Sequence, residues 1–363
     1  MERITLGIIG CGTISDVYFE TATEFDVLEV VACADLATER AEAKAEQYGC
    51  RVLTTDALLA DSEIDVAVIL TPPSTHGDLL MRALENDTHA YTEKPLATSM
   101  HQGTEIVRTA QEKDLLVGSA PDTVLGSGLQ TCRDVLDSGR IGDPVGAVAA
   151  WASPGHEHWH PDPDFYYQEG GGPLFDMGPY YLTALIALLG PASAVAGTTT
   201  TATDERTITS EPRWGETIDV AVPTHETGTI TFENGSVGTV LMSFDVWESS
   251  TTGFEIHGTE GSLQLTNPNR FDGAPRVRVR GADETQEVSV TRNQSRQQRG
   301  LGLVDLAYAL TTDWHHRTSA ALALHVLDIM TGIRDSGAEH DYVELSSTLE
   351  RPPAVPDDFP NSP

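Results

Sequence analysis

Short apolar runs alternate with amphipathic helical stretches over roughly the first third of the chain, and this alternation constrains the fold more than any other feature. The apolar runs have the length and composition of strands that are buried on both faces: Ile4 to Ile9, Val27 to Ala34, Val66 to Leu70, His89 to Thr92 and Leu115 to Gly118. Because parallel strands need a long crossover, usually a helix, the alternation predicts an α/β unit with a doubly wound parallel sheet.

The remainder of the chain has a different pattern, which predicts an α+β domain with a large, mostly antiparallel open sheet. Asn234 and Gly235 separate two alternating runs and predict a type I′ hairpin. A final amphipathic helix is predicted over about Ser319 to Asp335. We therefore divide the 363 residues into a first domain, 1–121, a second domain, 122–344, and a polar, loosely held tail, 345–363.

The charge of the chain excludes two classes of partner. Asp and Glu number 55 against 22 Lys and Arg, which gives a formal net charge of −33. Nucleic acid and anionic membranes would repel such a surface. An acidic, lysine-poor chain is typical of proteins that stay hydrated in concentrated salt, where a Debye length of about 3 Å at 1 M screens the self-repulsion. We therefore expect a halophilic protein.

The cysteines and the N-terminal segment bear on the expected compartment. The four cysteines form no CxxC pair, and so predict neither a zinc site nor a disulfide framework: Cys11, Cys33, Cys50 and Cys132. The chain runs directly into its first strand without a basic region and cleavage site, and no apolar run approaches membrane-spanning length. We expect a cytoplasmic protein.

A glycine-rich turn follows the first predicted strand and opens the first helix. Gly10 permits the tight turn, and Gly12 would let a pyrophosphate approach the helix start, which Thr13 and Ile14 form. Ser15 replaces the third glycine of the usual motif with another small residue. In this context the turn predicts a dinucleotide-binding fold of the Rossmann type.

Asp35 ends the second predicted strand, and a carboxylate there can accept hydrogen bonds from both ribose hydroxyls of an adenosine. The same carboxylate would repel a 2′-phosphate, which favours NAD over NADP. The alternative is that Asp35 only caps the helix that begins near Thr38.

Lys94 is one of only three lysines in the chain and lies between Glu93 and Pro95, just past an apolar strand. The other two, Lys44 and Lys113, lie on stretches that are typical of solvated helices. An amine in this position suggests a group that handles protons, and the alternative is an ordinary surface triplet.

These features together resemble the Gfo/Idh/MocA oxidoreductases, a family that acts on sugars, inositols and related polyols. The resemblance rests on the glycine turn, on Thr71, Pro72 and His76 after one strand, and on Glu93, Lys94 and Pro95 after the next. It extends through the run Gly170 to Tyr181 and into the C-terminal helix.

The resemblance implies a nicotinamide cofactor held across the parallel sheet, with the substrate bound between the two domains. It implies that Lys94 hydrogen bonds to the reacting hydroxyl and that Glu93 orients the nicotinamide ribose. Thr71 and Pro72 would line the cofactor's path. His76 matches a family residue, and its alternative is a hydrogen-bonded histidine at a helix start. The Lys94–Pro95 bond is often cis in the family.

The second domain departs from the family pattern at the proposed base. Many members carry a histidine four residues after the aspartate that aligns with Asp176, and here Tyr180 stands in its place. A tyrosine accepts a proton poorly unless a nearby cation stabilises its phenolate, and Lys94 could supply that cation. We take Lys94, Asp176 and Tyr180 as the catalytic candidates. The alternative for Tyr180 and Tyr181 is simple ring packing.

Other polar residues are candidate substrate contacts. The segment Gly155 to Pro161 is dense in histidine, and we favour a substrate-binding loop over a solvated turn or a metal site. The candidates are Asp122, His158, His160, Tyr181 and Arg317, with salt bridging as the alternative for Arg317. No metal set is predicted.

Our main hypothesis is an NAD-dependent sugar or polyol dehydrogenase, assembled as a homodimer or homotetramer. Two alternatives stay open: an enzyme that uses NAD transiently to cleave a glycoside, and a dinucleotide-binding sensor without turnover. Retention of Lys94 and Asp176 argues against the sensor.

Overall fold

The computed structural model describes residues 2–361. The chain forms two compact units, the first from residues 2–126, 292–324 and 353–361 and the second from residues 127–291 and 325–352. Within the described residues, none of the helices has the length and apolar character needed to cross a bilayer.

The first unit contains a sheet of six parallel strands in the order β3-β2-β1-β4-β5-β6. The strands are β1 Ile4–Ile9, β2 Leu28–Ala34, β3 Arg51–Val52, β4 Val66–Ile69, β5 His89–Thr92 and β6 Val117–Ser119. This sheet confirms the predicted doubly wound fold. The chain moves outward in one direction from β1 to β3 and in the other from β4 to β6, so a topological switch point lies between β1 and β4.

The helices of the first unit begin and end at residues that suit those positions. Thr54 and Ser99 cap two of them with side-chain oxygens, and Gly49 ends another with a left-handed φ of 77°. The helices are α1 Ser15–Glu24, α2 Thr38–Tyr48, α3 Thr55–Leu59, α4 His76–Glu85, α5 Met100–Glu112 and α8 Leu301–Thr311.

The second unit contains a nine-stranded sheet in the order β16-β15-β14-β13-β7-β12-β11-β8-β17. Its described strand pairs are antiparallel except for β7 with β12, which is parallel. The strands are β7 Pro144–Ala152, β8 Ala192–Thr200, β11 His225–Phe232, β12 Val237–Ser243, β13 Gly253–Gly258, β14 Gly261–Gln264, β15 Arg276–Val279, β16 Gln286–Glu287 and β17 Val343–Glu344. The predicted large, mostly antiparallel sheet is confirmed.

A small separate sheet and further helices complete the fold. The small sheet pairs β9, Glu205–Thr207, with β10, Thr217–Asp219. The helices are α6 Ser127–Asp137, α7 Pro173–Leu189 and α9 Ala320–Glu339. Nearly every residue of α7 is buried, so this helix lies in the core of its unit.

Two predictions about local structure are wrong. The hairpin between β11 and β12 exists, but only Gly235 has a positive φ, at 85°, so the turn is not type I′. The end of the described chain is not loosely held, because Val355 and Phe359 are buried and Arg317 donates to the carbonyls of Pro353 and Ala354. The first unit thus includes residues 292–324, which the sequence places in the second domain, and residues 353–361, which it places in the tail.

Candidate active site

The predicted cofactor-binding segments lie at one edge of the parallel sheet, where each strand ends. The glycine turn follows β1, Asp35 follows β2, Thr71 and Pro72 follow β4, and Glu93 and Lys94 follow β5. In open α/β sheets, ligands bind at the carboxyl ends of the strands next to the switch point. The sheet therefore brings these side chains to the edge where a dinucleotide would bind.

The glycine turn has the shape that the motif requires. Gly10 has a φ of 99°, and a Cβ at this position would lie 2.8 Å from the carbonyl of Leu70, so a larger residue would clash. A Cβ at Gly12 would meet no protein atom within 4 Å, so the surface above it is open. Ser15 is fully buried and donates from Oγ to the Gly12 carbonyl at 2.7 Å.

The start of α1 is suited to an anion. Ile14, at the N-cap position, makes no side-chain capping bond, and Thr13 before it is exposed. Asp16 in the first turn is paired with Lys44, which offsets its charge. The helix dipole therefore favours negative charge at this end.

Asp35 braces the glycine turn from β2. Its Oδ2 accepts from the amide of Cys11 at 2.7 Å, and its Oδ1 accepts from the amide of Ala37 at 2.8 Å. The side chain is half-buried, and each carboxylate oxygen has a second acceptor site. The open surface above Gly12 and the partly exposed Asp35 fit the pyrophosphate and ribose of a dinucleotide.

The Glu93–Lys94 segment is held by α1. The Tyr18 hydroxyl, fully buried, donates to Glu93 Oε1 at 2.8 Å, and Glu93 Oε2 accepts from the amide of Lys94 at 3.1 Å. Burial, with Glu93 nearby, raises the pKa of Tyr18 well above its ordinary value, so Tyr18 stays a donor. The Lys94–Pro95 bond is cis, as the family resemblance implies.

His76 connects two of these loops. Its ring is fully buried, with Nδ1 2.7 Å from the carbonyl of Pro95 and Nε2 2.8 Å from the carbonyl of Thr71. Burial lowers the pKa of His76. This geometry matches the alternative of a hydrogen-bonded histidine at a helix start, and places it behind the cofactor-binding edge.

Two predicted substrate contacts are structural residues of the first unit. Asp122 is buried and accepts from the amides of Gly300 and Gly302 at 2.7 and 3.0 Å, and burial raises its pKa to about 6. Arg317 is buried and forms a salt bridge with Asp305 at 3.2 Å. The salt-bridge alternative for Arg317 is therefore the one that the structure shows.

The glycine run before α7 is fixed by a buried ion pair in the second unit. Glu226 accepts from the amide of Leu174 at 2.9 Å and pairs with Arg334, whose Nε lies 2.6 Å from Glu226 Oε1. Arg334 also donates to the Gly171 carbonyl at 2.8 Å. These contacts fix the start of the helix that carries Asp176 and Tyr180.

Asp176 is bound by a histidine that the sequence analysis did not single out. His156 is 7% exposed, and its Nε2 lies 2.9 Å from Asp176 Oδ2. The indole N–H of Trp159 donates to His156 Nδ1 at 3.0 Å. An indole nitrogen only donates, so Nδ1 must be an acceptor and the imidazole is the neutral tautomer with its proton on Nε2. His156 therefore donates to Asp176.

The other histidines of this loop lie further out. His158 is exposed, whereas His160 is half-buried and accepts from the amide of Asp162 at 3.1 Å. Burial, together with His156, lowers the pKa of His160. No group of three or more His, Cys, Asp or Glu within residues 2–361 is arranged to hold a metal ion.

The two tyrosines of α7 are both largely buried. The Tyr181 ring packs against Phe254 with centroids 5.1 Å apart, and burial raises the pKa of Tyr181 to about 12. This environment favours the packing alternative for Tyr181. Tyr180 lies one turn after Asp176 on the same helix and stays a catalytic candidate.

The parallel sheet with its glycine turn and terminal carboxylate defines a dinucleotide-binding fold of the Rossmann type. Residues 4–120 match the model of the oxidoreductase family with an NAD-binding Rossmann fold, and residues 129–264 match the GFO/IDH/MocA C-terminal domain. The chain therefore belongs to the Gfo/Idh/MocA oxidoreductases, and the resemblance seen in the sequence is confirmed.

Named relatives act on sugars. The chain is 27% identical to 1,5-anhydro-D-fructose reductase of Ensifer adhaerens over 264 residues, covering 71% of this chain and 74% of the relative. It is 25% identical to levoglucosan dehydrogenase of Pseudarthrobacter phenanthrenivorans, covering 74% and 75%. A solved structure of levoglucosan dehydrogenase with NADH and L-sorbose has the same fold, with a TM-score of 0.82, 21% identity and coverage of 96% of this chain and 100% of that one.

Proposed function

We propose that this chain is an NAD-dependent oxidoreductase that transfers a hydride between nicotinamide and a carbon of a neutral sugar or cyclic polyol. The observation that carries the proposal is the placement of the glycine turn and of Lys94 at one edge of the sheet, beside the switch point. The sugar oxidoreductases among its relatives support the substrate class.

Each group at this edge has a definite task in the proposal. Gly10 and Gly12 would admit the pyrophosphate, and Asp35 would accept from the adenosine ribose. Glu93, fixed by Tyr18, would orient the nicotinamide ribose. NAD, when bound, supplies the hydride acceptor.

The remaining groups handle the substrate proton. In the oxidising direction a C–H bond breaks, its electron pair leaves with the hydride, and the hydroxyl proton leaves as the carbonyl forms. Lys94 would hydrogen bond to the reacting hydroxyl. Asp176 and Tyr180 are the candidates of the second unit for binding the substrate and accepting its proton.

The polar groups of the site support a neutral substrate. Sugars and polyols bind through hydroxyl groups, for which carboxylates and amines are good partners. The net charge of −33 does not decide this point, because NAD is itself an anion and molar salt screens the charge of the surface.

A panel assay tests this function. Neutral aldoses, cyclitols and glycosides are incubated with NAD in molar KCl, and both NADH and released aglycone are measured. We expect stoichiometric NADH with at least one neutral ring compound, and an initial rate of NADH formation that is lower by about 10² to 10⁴ with the Lys94→Ala variant. Aglycone release without net NADH would instead support the glycoside-cleaving alternative.

The preference for NAD is a separate proposal, based on the half-exposed Asp35 carboxylate. A 2′-phosphate beside Asp35 is repelled, so kcat/KM with NAD should exceed that with NADP. Asp35→Ser should lower the ratio of kcat/KM with NAD to kcat/KM with NADP by about 10-fold or more. Asp78→Ser, at an exposed position on α4, is the control and should leave this ratio unchanged. Equal efficiency of the two cofactors in the wild type would contradict the assignment.

A further inference from the structure

Four aromatic side chains around His156 form a cage: Trp151, Trp159, Tyr166 and Phe244. Their ring centroids lie 4.3 to 6.1 Å from the centroid of the imidazole. Trp159 differs from the other three in being 54% exposed. One face of the cage therefore presents an indole to solvent next to the Asp176 contact.

The exposed indole continues into an aromatic ledge, which we define as Trp159, His160 and Phe165. The His160 ring lies 5.2 Å from Trp159 and 5.4 Å from Phe165, both at near-perpendicular angles. Phe165 is 40% exposed. Exposed aromatic side chains gathered beside buried polar groups are typical of a ligand-binding surface.

Three carboxylates of the same loops are paired with arginines. Glu157 accepts from Arg206 at 2.8 Å, and Arg213 pairs with Asp162 at 2.6 Å and with Asp164. The aromatic ledge therefore presents ring faces to a ligand, and the carboxylates around it are neutralised by arginines. A ligand that suits it is a neutral ring with an apolar C–H face and hydroxyl groups at its edge.

We propose that Trp159 has two functions toward the substrate. Its exposed face receives the apolar face of a pyranose- or cyclitol-like ring, and its N–H holds His156 in the tautomer that donates to Asp176. Trp159 is thus a specificity-determining residue, and His156 is a positioning residue for the Asp176 carboxylate. This inference rests on the proposed function.

Variants of Trp159 distinguish its contact with the sugar ring from its hydrogen bond to His156. Trp159→Phe keeps a ring but loses the N–H, so kcat should fall about 10-fold or more while KM changes less than about 3-fold. Trp159→Ala loses both, so KM should also rise about 3- to 10-fold. Trp247→Ala removes an indole that is 88% exposed on another loop, and serves as the matched control.

His156 variants test the hydrogen bond itself. His156→Gln retains an N–H donor and should keep kcat within about 10-fold of wild type, whereas His156→Leu should lose about 100-fold. Imidazole ¹⁵N chemical shifts give a reading that needs no turnover. We expect an unprotonated Nδ1 in the wild type, and loss of that signature in Trp159→Phe.

The outcomes distinguish the inference from the function on which it rests. Wild-type turnover of a sugar, with Trp159→Phe and Trp159→Ala equal to wild type, would overturn the roles of Trp159 and leave the function intact. A protonated Nδ1 in the wild type would overturn the positioning role. Failure of the wild type to transfer a hydride with any ring compound would overturn both proposals.

Discussion

Lys94 and Asp176 are each reached by a short chain of hydrogen bonds that begins at an aromatic side chain of the same unit. In the first unit the Tyr18 hydroxyl fixes Glu93, which in turn accepts from the amide of Lys94. In the second unit Trp159 fixes His156, which donates to Asp176. Such supporting hydrogen bonds hold polar groups in one orientation, which catalysis requires.

Replacing Lys94 tests the proton-handling role. Lys94→Ala should lower kcat by about 10² to 10⁴, the usual contribution of an acid or base group, while the Kd for NAD changes little. Lys113→Ala is a matched control, because Lys113 pairs with Asp87 and donates to the Leu84 carbonyl at a helix end. Steady-state kinetics give kcat, and calorimetric titration with NAD gives the Kd. Retention of most turnover by Lys94→Ala would return Lys94 to an ordinary surface role.

Replacing the two tyrosines tests the choice between them. Tyr180→Phe should reduce kcat by about 100-fold if Tyr180 accepts the substrate proton. Tyr181→Phe keeps the ring contact with Phe254 and should stay within a few-fold of wild type. If Tyr180→Phe also stays within a few-fold of wild type, Tyr180 is a packing residue like its neighbour.

The sequence identified the residues of the first unit better than those of the second. Gly10, Gly12 and Asp35 were predictable because backbone geometry and one carboxylate define the motif at a fixed spacing. His156 was missed among neighbouring histidines, since its partner Asp176 is 20 residues away. Only the buried position of His156 between two hydrogen-bonding partners distinguishes it from His158.

At the scale of elements, α8 depends on a buried polar cluster. Asp305 on this helix is fully buried and accepts from the amide of Arg317 at 2.6 Å, from the Trp314 indole at 2.8 Å and from the Arg317 guanidinium. The cluster ties the segment after α8 back to the helix. Removing one partner leaves the other charge buried and uncompensated.

Asp305→Ala should therefore destabilise the fold by about 3 to 5 kcal/mol, the usual cost of breaking a buried ion pair. Asp313→Ala, an exposed position on the same segment, should change stability by less than about 0.5 kcal/mol. Chemical denaturation of both variants in constant high salt gives the comparison. If Asp305→Ala and Asp313→Ala unfold with the same midpoint and slope, the cluster contributes nothing to the free energy of unfolding.

Two of the missed strands share a physical cause. β7 and β8 were not predicted because alanine, glycine and threonine give these strands a weak periodic signal: PVGAVAAWA and ASAVAGTTT. Their pairing with β12 and β11 supplies the structure that local propensity does not. The hairpin at Gly235 was predicted, but the predicted type I′ turn is wrong, because Asn234 has two acceptable conformations before a glycine and adopts the one with negative φ.

At the scale of the whole molecule, the charge predicts a dependence on salt. Between 0.01 M and 1 M salt the Debye length falls from about 30 Å to about 3 Å, so repulsion among carboxylates is progressively screened. The melting temperature should rise across a KCl series and level off near molar salt. A melting temperature that does not change with KCl would contradict the expected halophilic character.

The division of the chain into units was the least predictable feature. Residues 292–324 join the first unit through contacts that are distant in sequence, such as those from Gly300 and Gly302 to Asp122 and from Ser119 to the Thr318 carbonyl. No local pattern reveals a segment that returns to an earlier domain. The fold class follows from strand and helix periodicity, whereas the unit boundaries follow from these long-range contacts.

Hydride transfer to a carbohydrate is the central claim, and isotope transfer measures it directly. The enzyme is incubated in molar KCl with nicotinamide-deuterated NADH and a panel of neutral keto-sugars and inososes, and mass spectrometry follows the label. We predict one deuterium per product molecule in at least one carbohydrate, and a rate of label transfer that is lower by about 10² to 10⁴ with Lys94→Ala. Tight NADH binding with no label in any carbohydrate would contradict the account.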